Sequence, residues 1–77
     1  YILDSMGWIH FKLGNLEIAS MFIKKAYAIN KDPEIAAHLG EILWTQGKEE
    51  EAREVWENSL NRHPSNTVLL ETTNRFR

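Results

Sequence analysis

The stretch Ala36-Ala37-His38-Leu39-Gly40-Glu41-Ile42-Leu43-Trp44 decides the fold, because its pattern has already appeared once, 33 residues earlier. Gly7 precedes Gly40 at that offset, Met6 precedes Leu39, and Phe11 precedes Trp44. Moving outward, Gly14 matches Gly47, Ala19 matches Ala52 and Ile23 matches Trp56, so one register uses all four glycines of the chain. A fixed period of this length marks stacked supersecondary units, each unable to bury its apolar face alone.

Each unit reads as two helices joined by a turn. Ile2, Leu3, Met6, Ile9, His10 and Leu13 form one stripe at helical spacing, and Gly14-Asn15 ends that helix with a residue suited to a left-handed cap. A second helix is expected to bury Leu16, Ala19, Phe22, Ile23, Ala26 and Ile29, stopping before Lys31-Asp32-Pro33. Asp32 is the expected N-cap of the third helix, and Pro33 fits its first turn, where a missing N–H costs nothing. Ile35, Ala36, Leu39, Ile42 and Leu43 then give the third stripe, closed by Gly47, and Ala52, Val55, Trp56 and Leu60 the fourth, closed by His63-Pro64. Ser65 is the expected cap of a fifth helix from about residue 66 to 76, with Leu69, Thr72, Thr73 and Phe76 on one face. Gly7 and Gly40 mark close helix approach, with Ala19 and Ala52 as their expected opposite numbers. The predicted fold is all-α: five antiparallel helices in a short right-handed superhelix. Repeat one runs over about residues 1–32, repeat two over about 33–66, and a capping helix over about 66–76.

A period near 34 carrying W-x2-L-G-x2-Y, then A-x3-F, then P is the tetratricopeptide pattern. The second unit resembles it in Ala36-x2-Leu39-Gly40-x2-Leu43, Ala52-x3-Trp56 and Pro64. The first resembles it in Leu3-x2-Met6-Gly7-x2-His10, Ala19-x3-Ile23 and Ala26, departing where Lys31 stands in place of the closing proline. The strings from Asp4 to Trp8 and from Pro33 to Trp44 are also similar to the final repeats of tetratricopeptide proteins of Gram-negative bacteria, several of which belong to the cell envelope or periplasm.

That resemblance implies a site. In the family, one face of successive first helices lines a concave groove that holds a peptide or a partner helix. Carried over, the groove comprises Asp4, Trp8, Phe11 and Lys12 on the first helix, Ala37, Glu41, Trp44 and Thr45 on the third, and Glu71 on the fifth. Aromatics are enriched at interface centres, where they bury much area with few rotamers to freeze. Aromatics at helical spacing are core residues about as often, and Phe11 and Trp44 border the turn where they can pack on the following helix. Trp56 is assigned to the core. Acidic groups at Asp4 and Glu41 disfavour a ligand's terminal carboxylate, so the expected ligand has apolar anchors and some basic residues.

Composition narrows the rest. Nine Lys and Arg against eleven Asp and Glu, a net charge of −2, give no basic stripe of the kind nucleic acid requires. No run of about 18 apolar residues is present to span a membrane. Without cysteine there is no disulfide, thiolate metal site or thiol nucleophile. The three histidines share no helical metal-binding spacing: His10 lies on a core stripe, His38 on a helix flank and His63 at a helix end. Glu49, Glu50 and Glu51 complement a helix N-terminus, and Arg53 with Glu57 is an expected i, i+4 pair. No catalytic residue, metal or cofactor is expected, and the partner is expected to be a protein. The chain opens at Tyr1-Ile2-Leu3-Asp4 inside a helical pattern and reads as a piece of a longer protein. Two alternatives accompany groove binding. These repeats end a longer solenoid and are purely architectural, or an apolar N-terminal face makes the chain self-associate.

Overall fold

In a computed structural model the chain is described over residues 2–76, with side chains described from residue 5 onward. Five helices follow one another: α1 (Ile2–Lys12), α2 (Leu16–Ile29), α3 (Pro33–Thr45), α4 (Glu49–Arg62) and α5 (Thr67–Arg75). None is long and apolar enough to cross a membrane.

Local chemistry sets the boundaries. At the α1–α2 turn, Gly14 N–H donates to the Phe11 carbonyl at 3.0 Å and Asn15 N–H to that of His10 at 2.8 Å. At the α3–α4 turn, Gly47 donates to Trp44 at 3.0 Å and Lys48 to Leu43 at 2.9 Å. Both glycines have φ of 85°, the left-handed conformation that this paired closure needs and that a Cβ disfavours. Between the repeats, the Asp32 carboxylate accepts from Glu34 N–H at 2.8 Å, with Pro33 in the first turn. The cap of α5 is Asn66 rather than Ser65: its side-chain oxygen accepts from Leu69 N–H at 3.0 Å. For a helix that starts at Thr67, Asn66 stands at the position from which a side chain reaches the third amide, and Ser65 is one residue too early.

The core forms around α3, which packs against α2, α4 and α5 and touches α1. All five of its expected core residues, Ile35, Ala36, Leu39, Ile42 and Leu43, are buried. Ile23 from α2, Ala52 and Trp56 from α4, and Leu69 from α5 complete the cluster. Each fully buried Ile or Leu contributes roughly 1.5–3 kcal/mol. Ser59, which the apolar pattern did not mark, is buried at the position equivalent to Ala26, and its hydroxyl has no hydrogen-bond partner among the described residues.

The glycines of the first helices accept large side chains, not the alanines expected opposite them. A Cβ on Gly7 would stand 2.5 Å from Ile23 Cγ1, and one on Gly40 would fall inside the Trp56 indole. The same Cβ on Gly7 would stand 3.2 Å from the Ala19 carbonyl oxygen, so backbone closeness and a side-chain slot occur together. Ile23 and Trp56 are equivalent residues, and each repeat locks its two helices in the same way.

The first repeat differs from expectation in what covers it. Met6 is 37 % exposed and Ile9 is 56 % exposed, while their equivalents in α3, Leu39 and Ile42, are 4 % and 0 % exposed. The reason is positional: α2 covers that face of α3, and no described helix lies in the corresponding place against α1. Leu13 and Ile29, also expected in the core, are exposed on the same repeat, and Ile2 and Leu3 lie outside the described side chains. Arg53 pairs with Glu49 at 3.9 Å, one turn back, instead of Glu57, and both are solvent-exposed.

Gly40→Ala is expected to destabilise the chain by about 1–3 kcal/mol, because overpacking against a rigid indole outweighs the helix-propensity gain of about 1 kcal/mol. Gly7→Ala should cost less, since its Cβ overlaps Ile23 less deeply than a Cβ on Gly40 overlaps the indole. Urea midpoints of the two variants beside the parent check the order.

Candidate functional site

α1, α3 and α5 place the candidate side chains because each is the first helix of its unit, or occupies the equivalent position after the last one. In α1, Trp8, Phe11 and Lys12 project from neighbouring turns. Trp8 stacks on Phe11 with ring centroids 4.9 Å apart, and the Lys12 ammonium lies 5.1 Å from the Trp8 centroid. Across the helix boundary, Trp8 stacks on His38 at 4.1 Å with the planes 18° apart. The stack joins the two repeats on this side.

Glu41 is the equivalent of Trp8, one repeat later. Its carboxylate accepts from Arg75 Nη2 of α5 at 2.9 Å. Its backbone carbonyl accepts from the Thr45 hydroxyl at 2.9 Å, so Thr45, though exposed, is engaged by its own helix. Between Trp8 and α5 lies a cleft of about 500 Å³, bounded by Trp8, His38 and Glu41 on one side and by Val68, Glu71, Thr72, Asn74 and Arg75 on the other. Trp8, Glu41 and Glu71 therefore border one cleft. His38, Val68, Thr72, Asn74 and Arg75 line it as well and were missed. The helical spacing of 68, 72 and 75 is a signal that would have found three of them.

The other expected residues are placed differently. Ala37 is 1 % exposed, a core residue whose carbonyl accepts from the Trp56 indole N–H at 3.4 Å. It offers a ligand no surface, because Trp56 covers α3 where α4 crosses. Trp44 is half-buried, with its ring centroid 5.8 Å from Trp56 and 5.6 Å from Phe76, and Trp56 and Phe76 are also 5.6 Å apart. This triad borders a separate cleft of about 400 Å³ toward α4, where the Arg53 guanidinium lies 5.3 Å from the Trp44 centroid. Phe11 divides its surface between Trp8 and the core. The side chain of Asp4 lies outside those described.

The chemistry on offer is recognition. Stacked rings give apolar area, and two carboxylates give charge, of which Glu41 is largely shielded and Glu71 exposed. Among the described residues no group of three or more His, Cys, Asp or Glu is arranged to hold a metal ion.

Comparison with known proteins gives two findings. A family model of the tetratricopeptide repeat matches residues 2–33 and 33–66. Over 40 residues the chain is 50 % identical to a TPR repeat-containing protein, PA4667, of Pseudomonas aeruginosa. The match covers 52 % of this chain and 7 % of that protein.

The two environments of tryptophan carry a prediction. Trp56→Ala should cost about 3–5 kcal/mol, as for a buried Trp in a core. Trp8→Ala should cost distinctly less, with Trp44→Ala between them. Chemical denaturation of the three variants, read by far-UV circular dichroism, checks that order.

Proposed function

This chain belongs to the tetratricopeptide-repeat family, and from that premise we propose that it binds a peptide or partner helix in the cleft between α1, α3 and α5. Repeats of this family are in general protein-interaction modules and typically non-enzymatic scaffolds. The observation that carries the reading is the convergence of Trp8, Glu41 and Glu71, from three helices, on one open cleft. An aromatic anchor beside carboxylates is a pairing that apolar burial and charge complementarity both favour. Trp8 is the central contact of this site, with Phe11 and Lys12 setting its orientation. Thr45 belongs to its edge, and Trp44, on the separate α4-side cleft, stands outside it. Selection of peptides from a displayed random library on the 77-residue chain tests the reading. Enriched peptides should lose about tenfold or more in affinity on Trp8→Ala, as for an interface hot spot. Peptides that bind the variant and the parent alike would sink it.

A second reading rests on the open face of α1. Met6 and Ile9 are exposed where Leu39 and Ile42 are covered by α2, so this face has the composition of a repeat interface. In the architectural form of the reading, a preceding helical hairpin covers it and these repeats finish a longer solenoid. In the self-association form, a second copy does. The melting temperature separates them: a rise with chain concentration, abolished by Ile9→Glu, supports self-association, and concentration independence removes it.

A further inference from the structure

Of the charged side chains bordering the cleft, Glu41 is the one largely withdrawn from water, its side chain 13 % exposed. A carboxylate so shielded is costly without a cation. It has one in Arg75, which comes from the last turn of α5, 34 residues further along, and remains mostly exposed itself. Glu71 places a second carboxylate on the same cleft and has no ion-pair partner among the described residues. Lys12 is occupied over the Trp8 ring and does not border the cleft. The bordering charges of Glu41, Glu71 and Arg75 thus leave one negative charge without a matching cation. The walls leading to them include Trp8 and Val68, which are apolar.

An apolar wall ending in carboxylates fits a long cationic side chain, whose methylene stem lies along the wall while its head stays on the charge. The geometry of Arg75 on Glu41 gives the chemistry of that head. Resting on the groove reading above, we infer that the ligand presents a cationic side chain to Glu41 and Glu71, and that Arg75 is an internal occupant which this side chain displaces. A guanidinium is preferred to an ammonium, because its planar fork matches a carboxylate through two parallel N–H bonds. Displacement costs little on the Arg75 side, since the released side chain is already largely hydrated. The exchange makes α5 a determinant of affinity as well as a cap: the strength of its ion pair sets how strongly a ligand must bind Glu41.

The test uses the 77-residue chain and two small probes, N-acetyl-arginine N-methylamide and its citrulline isostere, which keeps the shape and loses the charge. Titrations are followed by ¹⁵N NMR at the Trp8 indole N–H and at the backbone amides of Glu41 and Glu71. The arginine probe should give saturable shifts at all three, with the citrulline probe weaker by about tenfold or more. Arg75→Gln should tighten the arginine probe several-fold without changing the citrulline probe, and Glu41→Gln, which leaves only Glu71, should narrow the difference between the two. Equal responses to both probes in the parent chain overturn the cationic specificity and leave the groove itself standing. An unchanged or lower affinity in Arg75→Gln overturns the role of Arg75. Silence at all three positions with both probes overturns the inference as a whole, while the peptide selection judges the groove separately. Arg75→Gln leaves Glu41 without its cation, so far-UV circular dichroism and a urea midpoint establish that the variant is folded before it is titrated.

Discussion

How closely two helices can approach at Gly7 and at Gly40 governs the rest of this structure. At each point the missing Cβ opens a slot, filled by Ile23 in the first repeat and by the Trp56 indole in the second. The slot fixes the depth and the axial position of the second helix against the first at once. Because α3 packs against the second helix of its own unit and that of the preceding one, the same constraint also sets how the units stack. Protein interiors are packed too densely to absorb an extra methyl at such a contact without a shift. The indole on Gly40 also reaches the Ala37 carbonyl, so the largest core residue has its one polar atom satisfied.

From that lock six of the ring-bearing side chains fall into two groups. Trp44, Trp56 and Phe76 close the α4 side of the molecule as a mutually contacting triad. Trp8, Phe11 and His38 form a second group on the α1–α3 side, of which Trp8 and His38 border the cleft. Phe11 and Trp44 are equivalent in the repeat, yet they end in different surroundings. Trp44 has α5 beside it and so acquires Phe76, whereas Phe11 has α3 beside it and stays with Trp8. A solenoid therefore diversifies its surface through neighbours even where its repeats share one pattern.

The two repeats also differ in what their outer surfaces present. α4 carries Glu51, Glu54 and Arg62 at the positions where α2 carries Ile18, Met21 and Ile29. All six are exposed, so the contrast is one of composition rather than burial. Charged residues there suit a surface that meets water, and apolar ones suit a surface that meets protein. With the open face of α1, this gives the first repeat most of the exposed large apolar side chains among the described residues.

The sequence by itself determined the helices, their turns and the repeat. Those features depend on contacts within four or five residues, such as the left-handed glycines at 14 and 47 and the Asp32 cap. The core of α3 was legible for a related reason: every face of its stripe is covered, so apolar periodicity and burial coincide. Along the first stripe the same periodicity failed, since Met6 and Ile9 of α1 and Leu13 just beyond it are apolar for a contact that no described helix supplies. Part of the candidate site was legible too: Trp8 and Glu41 are equivalent in the repeat register, and the family resemblance pointed to that face of the first helices. Only the tertiary structure decided that Ala37 lies beneath Trp56, that Trp44 joins the α4 side, and that Arg75 reaches Glu41. Each of these depends on the distance and angle between helices far apart in sequence, which side-chain volumes at the glycine slots set and which no periodicity encodes.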